Sequence, residues 1–385
     1  MTQVAIVGIG QTPVAEHWDK SLQELAQDAI TQALADADLQ TVDALYVGNA
    51  YGGTIGEQSH VAPLIADFAG LVGIEAWTVD AGDAAGGAAL RAGYLAVASG
   101  AVETALVVGV EKMTDRVGSA REGARNTSIH AELENLQGAT LTSLAGLLMQ
   151  RYLHEQNIPL SAFEPLSINA HLNGSNNPYA MYRNKLREGA FAKAPMVSHP
   201  VSLFDRAPDG DGAAAVILTR LENAQDMVPT PIRIVGSAVS TDQFAIQDRQ
   251  QLLKLEAVSR AVDRALSQAQ LNLASLSFAE LHDAFTILSV LTLEAMGLAE
   301  YGKGWEFIAN GQSVIGRNGT FPISTMGGLK SRGNPSGATG VYQAVEATLQ
   351  LRGQAGDNQI TDAKTALLLN LGGMATTAIA HILSL

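Results

Sequence analysis

Three polar residues stand where buried segments end and apolar helices begin, and each has a side chain that can move a proton or hold developing negative charge. Asp83 opens the string DAAGGAAL, Asn334 opens NPSGATGV, and His282 follows a buried-looking strand in ELHDAFT. The start of a helix offers unpaired backbone N–H groups and partial positive charge, which suit a carboxylate, a thioester oxygen or an oxyanion. Histidine at the carboxyl edge of a strand can polarise a carbonyl or transfer a proton. We therefore take Asp83, His282 and Asn334 as the candidate catalytic residues.

Each of these residues also has a purely structural interpretation. Aspartate and asparagine are among the preferred N-cap residues of helices, so either one taken alone is more simply a cap. A buried histidine bonded to the backbone is as good an explanation of His282 on position alone. The paired placement of Asp83 and Asn334 in similar strings favours the functional interpretation.

Two further features are candidates for binding a ligand. The segment YRNKLREGAFAK, residues 182–193, carries Arg183 and Lys185 in an otherwise acidic chain, and it could bind an anionic group such as a nucleotide phosphate. A solvated helix face is the alternative. Glycine pairs that include Gly328 and Gly373 mark places where a main chain can approach a ligand closely.

Composition excludes several classes of site. The 385 residues include no cysteine, so there is no disulfide, no thiolate zinc site and no cysteine nucleophile. The opening GIGQTP lacks the third glycine of a dinucleotide fingerprint, no phosphate-binding P-loop pattern occurs, and the histidines do not cluster with carboxylates at metal-ligand spacing. We expect no bound metal and no covalently bound cofactor.

Charge and hydropathy bear on partners and location. The balance of 24 Lys and Arg against 38 Asp and Glu gives a net charge of −14, which argues against a nucleic-acid or anionic-membrane partner. The start MTQVAIVGIG has no basic region before a long apolar stretch, and no run of 18 apolar residues occurs. We expect a cytoplasmic protein without a membrane span.

The strands and helices expected to position these residues follow an α/β pattern that occurs twice along the chain. Short Val/Ile/Leu/Ala runs that end in glycine alternate with apolar residues at helical spacing, which predicts strands feeding into helices. Three pairs of segments match in the same order: residues 28–39 with 260–271, 83–90 with 334–341, and 104–113 with 365–374. Such order indicates duplication. The predicted halves are 1–228 and 229–385, the first with a loop-rich insertion at about 114–205.

Several strings resemble the thiolase superfamily, most closely its sterol-carrier-protein-type and archaeal members. They are GVEKMTD at Gly109, NPYAMYR at Asn177, DGDGAAAVIL at Asp209, HDAFT at His282, GGLKSRGNPSGATG at Gly327 and NLGGM at Asn370. The resemblance covers nearly the whole length. It implies two similar halves forming α/β/α/β/α layers with an inserted loop domain, a homodimer or tetramer, and a coenzyme A thioester as substrate.

The reactive positions of that family are changed in this chain. The resemblance places Asp83 where the family has its nucleophilic cysteine, Asn334 where it has the histidine of a G-H-P string, and Asn370 at or near a second cysteine. His282 of the HDAF string is kept. We take Arg183, Lys185, Gly328, Asn370 and Gly373 as the candidate residues for binding substrate or coenzyme A.

Three functions follow from these changes. A carboxylate accepts acyl groups poorly from a thioester, so ordinary cysteine-type thiolysis is improbable and Asp83 would instead act as a general base. The first hypothesis is therefore an acyl-CoA enzyme, an acyltransferase by homology, that makes or breaks a carbon–carbon bond. The second is a retro-aldolase on a β-hydroxyacyl-CoA that works with an OB-fold and zinc-ribbon partner. The third is a non-catalytic acyl-CoA-binding or scaffold protein.

Overall fold

Strands and helices alternate along the computed structural model, which describes residues 2–187 and 189–385. The strands are β1 (Val4–Gln11), β2 (Ala44–Gly48), β3 (Glu75–Val79), β4 (Thr104–Glu111), β5 (Met196–Ser198), β6 (Val201–Ser202), β7 (Gly212–Arg220), β8 (Ile232–Thr241), β9 (Phe278–Glu280), β10 (Thr365–Gly372) and β11 (Thr377–Ser384). The α-helices are α1 (Leu22–Asp36), α2 (Gly52–Ile55), α3 (Val61–Phe68), α4 (Ala85–Ser99), α5 (Ser119–Arg125), α6 (Leu141–Gln156), α7 (Glu164–Asn176), α8 (Leu221–Met227), α9 (Glu256–Ala269), α10 (Thr286–Ala295), α11 (Gly304–Ala309), α12 (Gly328–Arg332) and α13 (Thr339–Leu351).

A mixed sheet of nine strands runs through the molecule in the order β3-β2-β4-β7-β1-β8-β11-β10-β9. Counted outward from the centre, β1, β7, β4 and β2 take the same places as β8, β11, β10 and β9. In each half the outer pair is parallel, whereas β7 and β11 run antiparallel to both neighbours. The halves meet where residues 4–6 of β1 pair antiparallel with residues 232–234 of β8. The duplicated α/β plan predicted from the sequence is present.

Alternating side chains on the strands pack into three apolar layers. In β4, Val107 contributes to a central layer with helices α4 and α13, whereas Leu106 and Val108 face a layer with α1 and α3. In β10, Leu368 joins the same central layer, and Leu369 faces a third layer that contains α9 and α10. Because successive residues of a strand point to opposite faces, each half of the sheet is covered on both sides. The result is the predicted α/β/α/β/α layering.

Local sequence explains where the first helix starts and which face it buries. Ser21 accepts a hydrogen bond from the backbone N–H of Glu24, and the Glu24 side chain accepts one from the backbone N–H of Ser21. This capping box fixes the N-terminus of α1. Leu25, Ala29 and Ala33 repeat at helical spacing and are fully buried against the sheet. The apolar spacing seen in the sequence therefore predicted this helix correctly.

Glycines allow the starts of α4 and α13 to touch. A Cβ atom built on Gly340 would lie only 2.2 Å from the backbone nitrogen of Gly87, so neither helix could hold a larger residue at this crossing without moving. A 3₁₀ turn, Ser336–Ala338, leads into α13. The turns before the two helices carry Asp83 and Asn334, and the crossing brings these turns together.

The segment between β4 and β7 holds α5, α6, α7 and the short pair β5 and β6. The insertion predicted at about 114–205 lies within it, and the predicted division at 228/229 falls between α8 and β8. The extent of each half as a separate unit stays a prediction. Among the described residues, none of the helices has the length and apolar character needed to cross a membrane.

Candidate active site

Asp83 lies in the turn before α4 with its carboxyl group buried. The residue is 2% exposed, and Oδ1 accepts a hydrogen bond of 3.1 Å from the phenol Oη of Tyr51. Burial raises the pKa of the Asp83 carboxyl, while Arg125, Tyr51 and Ser336 act in the opposite direction. Raising the pKa of a carboxyl group makes its ionised form a stronger base. A buried carboxyl group with a raised pKa has chemistry suited to a general base, and this role for Asp83 stays a prediction.

The side chain of Asn334 accepts hydrogen bonds through its oxygen, and its amide nitrogen has no hydrogen-bond partner among the residues that the structure describes. Its backbone N–H donates to the carbonyl oxygen of Pro208 at 2.9 Å. Its side-chain Oδ1 accepts from the backbone N–H of Ser336 at 3.0 Å and from the hydroxyl of Thr339 at 3.2 Å. The side-chain oxygen therefore supports the turn before α13, but Asn334 is not the N-cap residue of the 3₁₀ turn or of α13. The amide nitrogen Nδ2 is the group left to donate to a ligand.

His282 is held as a neutral imidazole in one tautomer. The backbone N–H of Gly87 donates to Asn370 Oδ1 at 3.1 Å, which fixes the orientation of the amide because an N–H can only donate. Asn370 Nδ2 must then donate to His282 Nδ1, 3.0 Å away. With Nδ1 accepting, the imidazole proton is on Nε2. Burial, together with the positive charge of Arg332, lowers the pKa of His282 to about 3. His282 is thus an Nε2–H donor at neutral pH.

The positive charge near His282 belongs to a buried polar network. Arg332 is fully buried, with Nη1 3.4 Å from Glu346 Oε2 and its guanidinium 4.9 Å from the centre of the Tyr342 ring. Burial raises the pKa of Glu346 to about 7 and that of Glu280 to about 8. The positive charge of Arg332 also acts on the neighbouring imidazole of His282. This disfavours a charged imidazolium at His282.

Glu111 is a second buried carboxyl group close to Asp83. Its oxygens accept hydrogen bonds from the backbone N–H groups of Ala50 at 2.8 Å, Tyr51 at 3.1 Å and Gly337 at 3.1 Å. Burial raises its pKa to about 8, against these donors, and the charge of Asp83 adds to the increase. Glu111 therefore ties the Tyr51 segment to the turn that precedes α13.

A cavity of about 250 Å³ adjoins these groups. It is lined by Ala50, Tyr51, Asp80, Ala81, Gly82, Thr127, Ser128, Phe244, Gly372, Gly373, Thr376 and Thr377. Gly373 has φ of +58°, and a Cβ there would lie 2.7 Å from the carbonyl oxygen of Ser128. Of the residues predicted from the sequence, Gly373 alone lines this cavity; Asp83, His282 and Asn334 are each no more than 2% exposed.

Comparison with known proteins identifies the family. The family model described as "Thiolase, N-terminal domain" matches residues 4–186, and "Thiolase C-terminal domain-like" matches residues 238–385. The acetyl-CoA acetyltransferase of Methanothermobacter thermautotrophicus is 38% identical over 100% of both chains. The chain belongs to the thiolase family. The resemblance that its sequence strings suggested is thereby confirmed.

Solved structures agree with this thiolase fold. The Ltp2–ChsH2(DUF35) aldolase superimposes with a TM-score of 0.86 at 24% identity, covering 100% of this thiolase-family chain and 98% of its own. The acetyl-CoA acetyltransferase of Syntrophomonas wolfei gives a TM-score of 0.76 at 17% identity, with 100% and 99% covered. At these identities the likeness establishes the fold, and the predicted fold class is confirmed.

This chain has no cysteine with which to form an acyl-enzyme. The polar side chains gathered at the helix crossing are instead carboxyl, amide, imidazole, hydroxyl and guanidinium groups. No group of three or more His, Asp or Glu residues that could hold a metal ion occurs in the part of the chain that the structure describes.

The remaining predicted residues of this thiolase-family chain occupy different surroundings. Gly328, with φ of +55°, packs against the carboxylate of Asp283, where a Cβ would lie 2.4 Å from an oxygen. Arg183 and Lys185 are exposed on the loop after α7 and are not brought to the buried groups. The neighbouring Tyr182 lines a separate cavity of about 300 Å³. Coenzyme A binding by Arg183 and Lys185 stays a prediction.

Sequence reasoning missed Tyr51, Glu111 and Arg125. Glu111 stands inside the GVEKMTD string used for the resemblance, and a carboxylate at the end of a buried strand is itself a signal of function. Tyr51 follows the buried strand β2 in the string GNAYGG, among turn residues that gave no comparable signal. Arg125 lies in the loop-rich insertion and forms an ion pair with Asp209, a contact that only the folded chain brings about.

Proposed function

We propose that this chain makes or breaks a carbon–carbon bond of an acyl-CoA thioester, with Asp83 as the general base and without an acyl-enzyme. The observation that carries the proposal is the buried Asp83 carboxyl, raised in pKa by burial, at the crossing of two helix starts. His282 supplies an Nε2–H donor, and Asn334 supplies an amide N–H. Two such donors suit an enolate or thioester oxygen, since preorganised donors stabilise negative charge that develops there.

Proton transfer replaces nucleophilic catalysis in this scheme. An ionised Asp83 takes a proton from the substrate and later returns it, so no covalent bond to the enzyme forms. General acid–base catalysis of this kind contributes roughly 10²–10⁴-fold to rate. The substrate class is supported by the family, whose relatives here include acetyl-CoA acetyltransferases. Coenzyme A enters as part of the substrate and leaves as product.

The test is a mass-spectrometric screen for condensed or cleaved products from acetyl-CoA, longer acyl-CoA esters and β-hydroxyacyl-CoA esters. We expect Asp83→Asn and His282→Ala each to lower turnover at least about 100-fold. Asp67→Asn, which changes an exposed aspartate of α3, is the matched control and should retain full activity. Equal turnover by wild type and Asp83→Asn would refute Asp83 as the base.

A second candidate is a retro-aldolase that works with a small partner protein. It is favoured by the higher TM-score of the Ltp2–ChsH2(DUF35) aldolase than of the acetyl-CoA acetyltransferase structure. The same screen distinguishes the two, because an aldolase cleaves β-hydroxyacyl-CoA to a carbonyl compound and a shorter acyl-CoA. Cleavage that requires an added DUF35-type protein, with its OB fold and zinc ribbon, would establish this alternative.

Binding without turnover would instead favour the third function, an acyl-CoA-binding scaffold. Titration calorimetry with coenzyme A and acetyl-CoA distinguishes this outcome from a protein that neither turns over nor binds the ligands of its family. A scaffold should bind acyl-CoA equally well in wild type and in Asp83→Asn. It should give no product with or without a partner protein.

A further inference from the structure

The buried carboxyl of Asp83 accepts a hydrogen bond from a tyrosine that lines the cavity. Tyr51 and Gly82 line the 250 Å³ cavity, whereas Asp83 is not among its lining residues. The Tyr51 hydroxyl donates to Asp83 Oδ1 over 3.1 Å. A substrate in this cavity would therefore contact Tyr51 before it could reach the carboxylate of Asp83.

Tyr51 is held firmly in this position. Its backbone N–H donates to Glu111, and its ring lies in a small buried cluster with Ile55, Met113 and Ala124. The residue is 1% exposed, so the ring has no room to turn away from Asp83. This geometry preorganises one hydroxyl between the carboxylate and the cavity, as proton transfer requires.

We propose that Tyr51 is the catalytic residue that exchanges a proton with the substrate, and that Asp83 acts through it. The inference rests on the proposed function and adds the atom that contacts substrate. Asp83 then becomes a positioning and proton-storing residue rather than the direct base. The two form a relay in which the phenol oxygen gains one proton as it gives up another.

The relay balances for condensation of two acyl-CoA molecules. The α-C–H bond of one thioester breaks, its proton bonds to Tyr51 Oη, and the original phenol proton moves to Asp83 Oδ1. The electron pair of the broken C–H bond forms the new carbon–carbon bond at the carbonyl carbon of the second thioester. Its C–S bond breaks, and the departing thiolate receives a proton from Tyr51 while the proton on Asp83 returns to the phenol. The products are a 3-oxoacyl-CoA and free coenzyme A.

The same relay serves cleavage of a β-hydroxyacyl-CoA. The β-hydroxyl proton moves to Tyr51, the phenol proton moves to Asp83, and the Cα–Cβ electron pair goes to the α-carbon. A carbonyl forms at Cβ, and the α-carbon takes the proton back along the same path. Burial raises the pKa of Tyr51 well above its ordinary value, so a free phenolate does not accumulate and the two transfers are concerted.

The test compares Tyr51→Phe with wild type in the turnover screen and in exchange of α-protons for deuterium. We expect kcat to fall at least about 100-fold with KM changed less than about threefold, since the ring and its packing remain. Tyr46→Phe is the matched control. The Tyr46 hydroxyl also donates to a carboxylate, that of Glu75, at 2.8 Å, but Tyr46 lies in β2 and does not line the cavity. This variant should stay within about twofold of wild type.

A double variant tests whether Tyr51 and Asp83 act together. If Tyr51 and Asp83 act as one unit, Tyr51→Phe combined with Asp83→Asn should lose no more rate than the worse single variant. Turnover by the wild type should also show a solvent deuterium isotope effect whose dependence on deuterium content indicates two protons in transfer. Tyr51→Phe should abolish this effect. These readouts would not respond to a merely structural role.

The outcomes separate the relay from the function on which it rests. If Tyr51→Phe keeps more than about a third of wild-type kcat while Asp83→Asn is inactive, the relay is overturned. Asp83 would then contact the substrate directly. Wild type that neither turns over nor exchanges α-protons with any acyl-CoA would overturn the proposed function, and the relay with it.

Discussion

Replacing Asn370 by aspartate should reverse the tautomer of His282 and thereby remove a donor from the candidate site. In the wild type, Gly87 N–H fixes the amide so that Nδ2 donates to His282 Nδ1. A carboxylate at position 370 can still accept from Gly87, but toward His282 it can only accept. The imidazole would then place its proton on Nδ1, and Nε2 would change from donor to acceptor.

The expected magnitude is that of losing one oxyanion donor. Removing such a donor costs roughly 10²–10³-fold in kcat, or about 2.7–4 kcal/mol of transition-state stabilisation. The distance of 3.0 Å between Asn370 Nδ2 and His282 Nδ1 is an ordinary hydrogen bond, so the switch needs no movement of the backbone. His282→Ala should lower turnover to a similar extent, because it deletes the same donor.

Nitrogen-15 NMR of the imidazoles reports the tautomer without reference to activity. His381 provides an internal control, because its Nε2 lies 3.0 Å from the carbonyl oxygen of Gly87 and must donate to it. We expect Asn370→Asp to move the His282 proton to Nδ1 while His381 keeps its proton on Nε2. A switched tautomer with turnover within about threefold of wild type would refute the donor role of His282.

Three further predictions concern stability and assembly. Burial raises the pKa of Glu280 from 4.5 to about 8, so between these values the folded state holds a proton that the unfolded state has lost. Stability should therefore fall as pH rises from 6.5 through 8, where the histidines of lowered pKa no longer contribute a change. Because the raised pKa values of Glu111 and Glu346 contribute to the same slope, Glu280→Gln should reduce the slope of melting temperature against pH without abolishing it. Gly340→Ala should lower the free energy of unfolding by about 1–3 kcal/mol in denaturant titrations, because the added Cβ would clash with α4. Gly123→Ala is the control: this glycine lies in open space on α5, so the substitution should leave the free energy of unfolding unchanged or raise it by about 0.5–1 kcal/mol. Trp77 is 59% exposed on the edge strand β3, which leaves this edge available to a second copy of the chain. Sedimentation should show a dimer or larger oligomer, and Trp77→Glu should weaken it. A wild-type monomer at micromolar concentration would contradict this prediction.

Much of the fold could be predicted from the sequence because its signals are local or repeated. Helix α1 shows apolar residues at helical spacing, and the strings around residues 104–113 and 365–374 became β4 and β10, which hold equivalent places in the sheet. Asp83 and His282 could be singled out for the same reason, since each stands at a boundary between predicted elements. Position along the chain was sufficient for these inferences.

The partners of those residues could not be predicted because they are distant in sequence. Tyr51 and Asp83 are 32 residues apart, Glu111 and Tyr51 are 60 apart, and Gly87 and Asn370 are 283 apart. The parallel pairing of β2 with β4 brings the Tyr51 segment to Glu111, and the packing of α4 against β10 brings Gly87 to Asn370. The tautomer of His282 depends on the Gly87 contact, so it too requires the folded structure.

Asp83→Asn decides whether the buried carboxyl is a structural or a functional feature. Burial raises the pKa of Asp83, which means that its ionised form is disfavoured in the folded protein. Asparagine has nearly the same shape and keeps an oxygen that can accept from Tyr51, yet it has no charge to desolvate. If the carboxyl serves catalysis at the expense of stability, Asp83→Asn should leave the melting temperature at pH 8 unchanged or raise it while turnover collapses. A fall in melting temperature would mean that the ionised carboxyl stabilises the fold through Arg125 and its hydroxyl donors. That result would favour the scaffold function, because Asp83 would then hold the helix crossing together rather than carry protons.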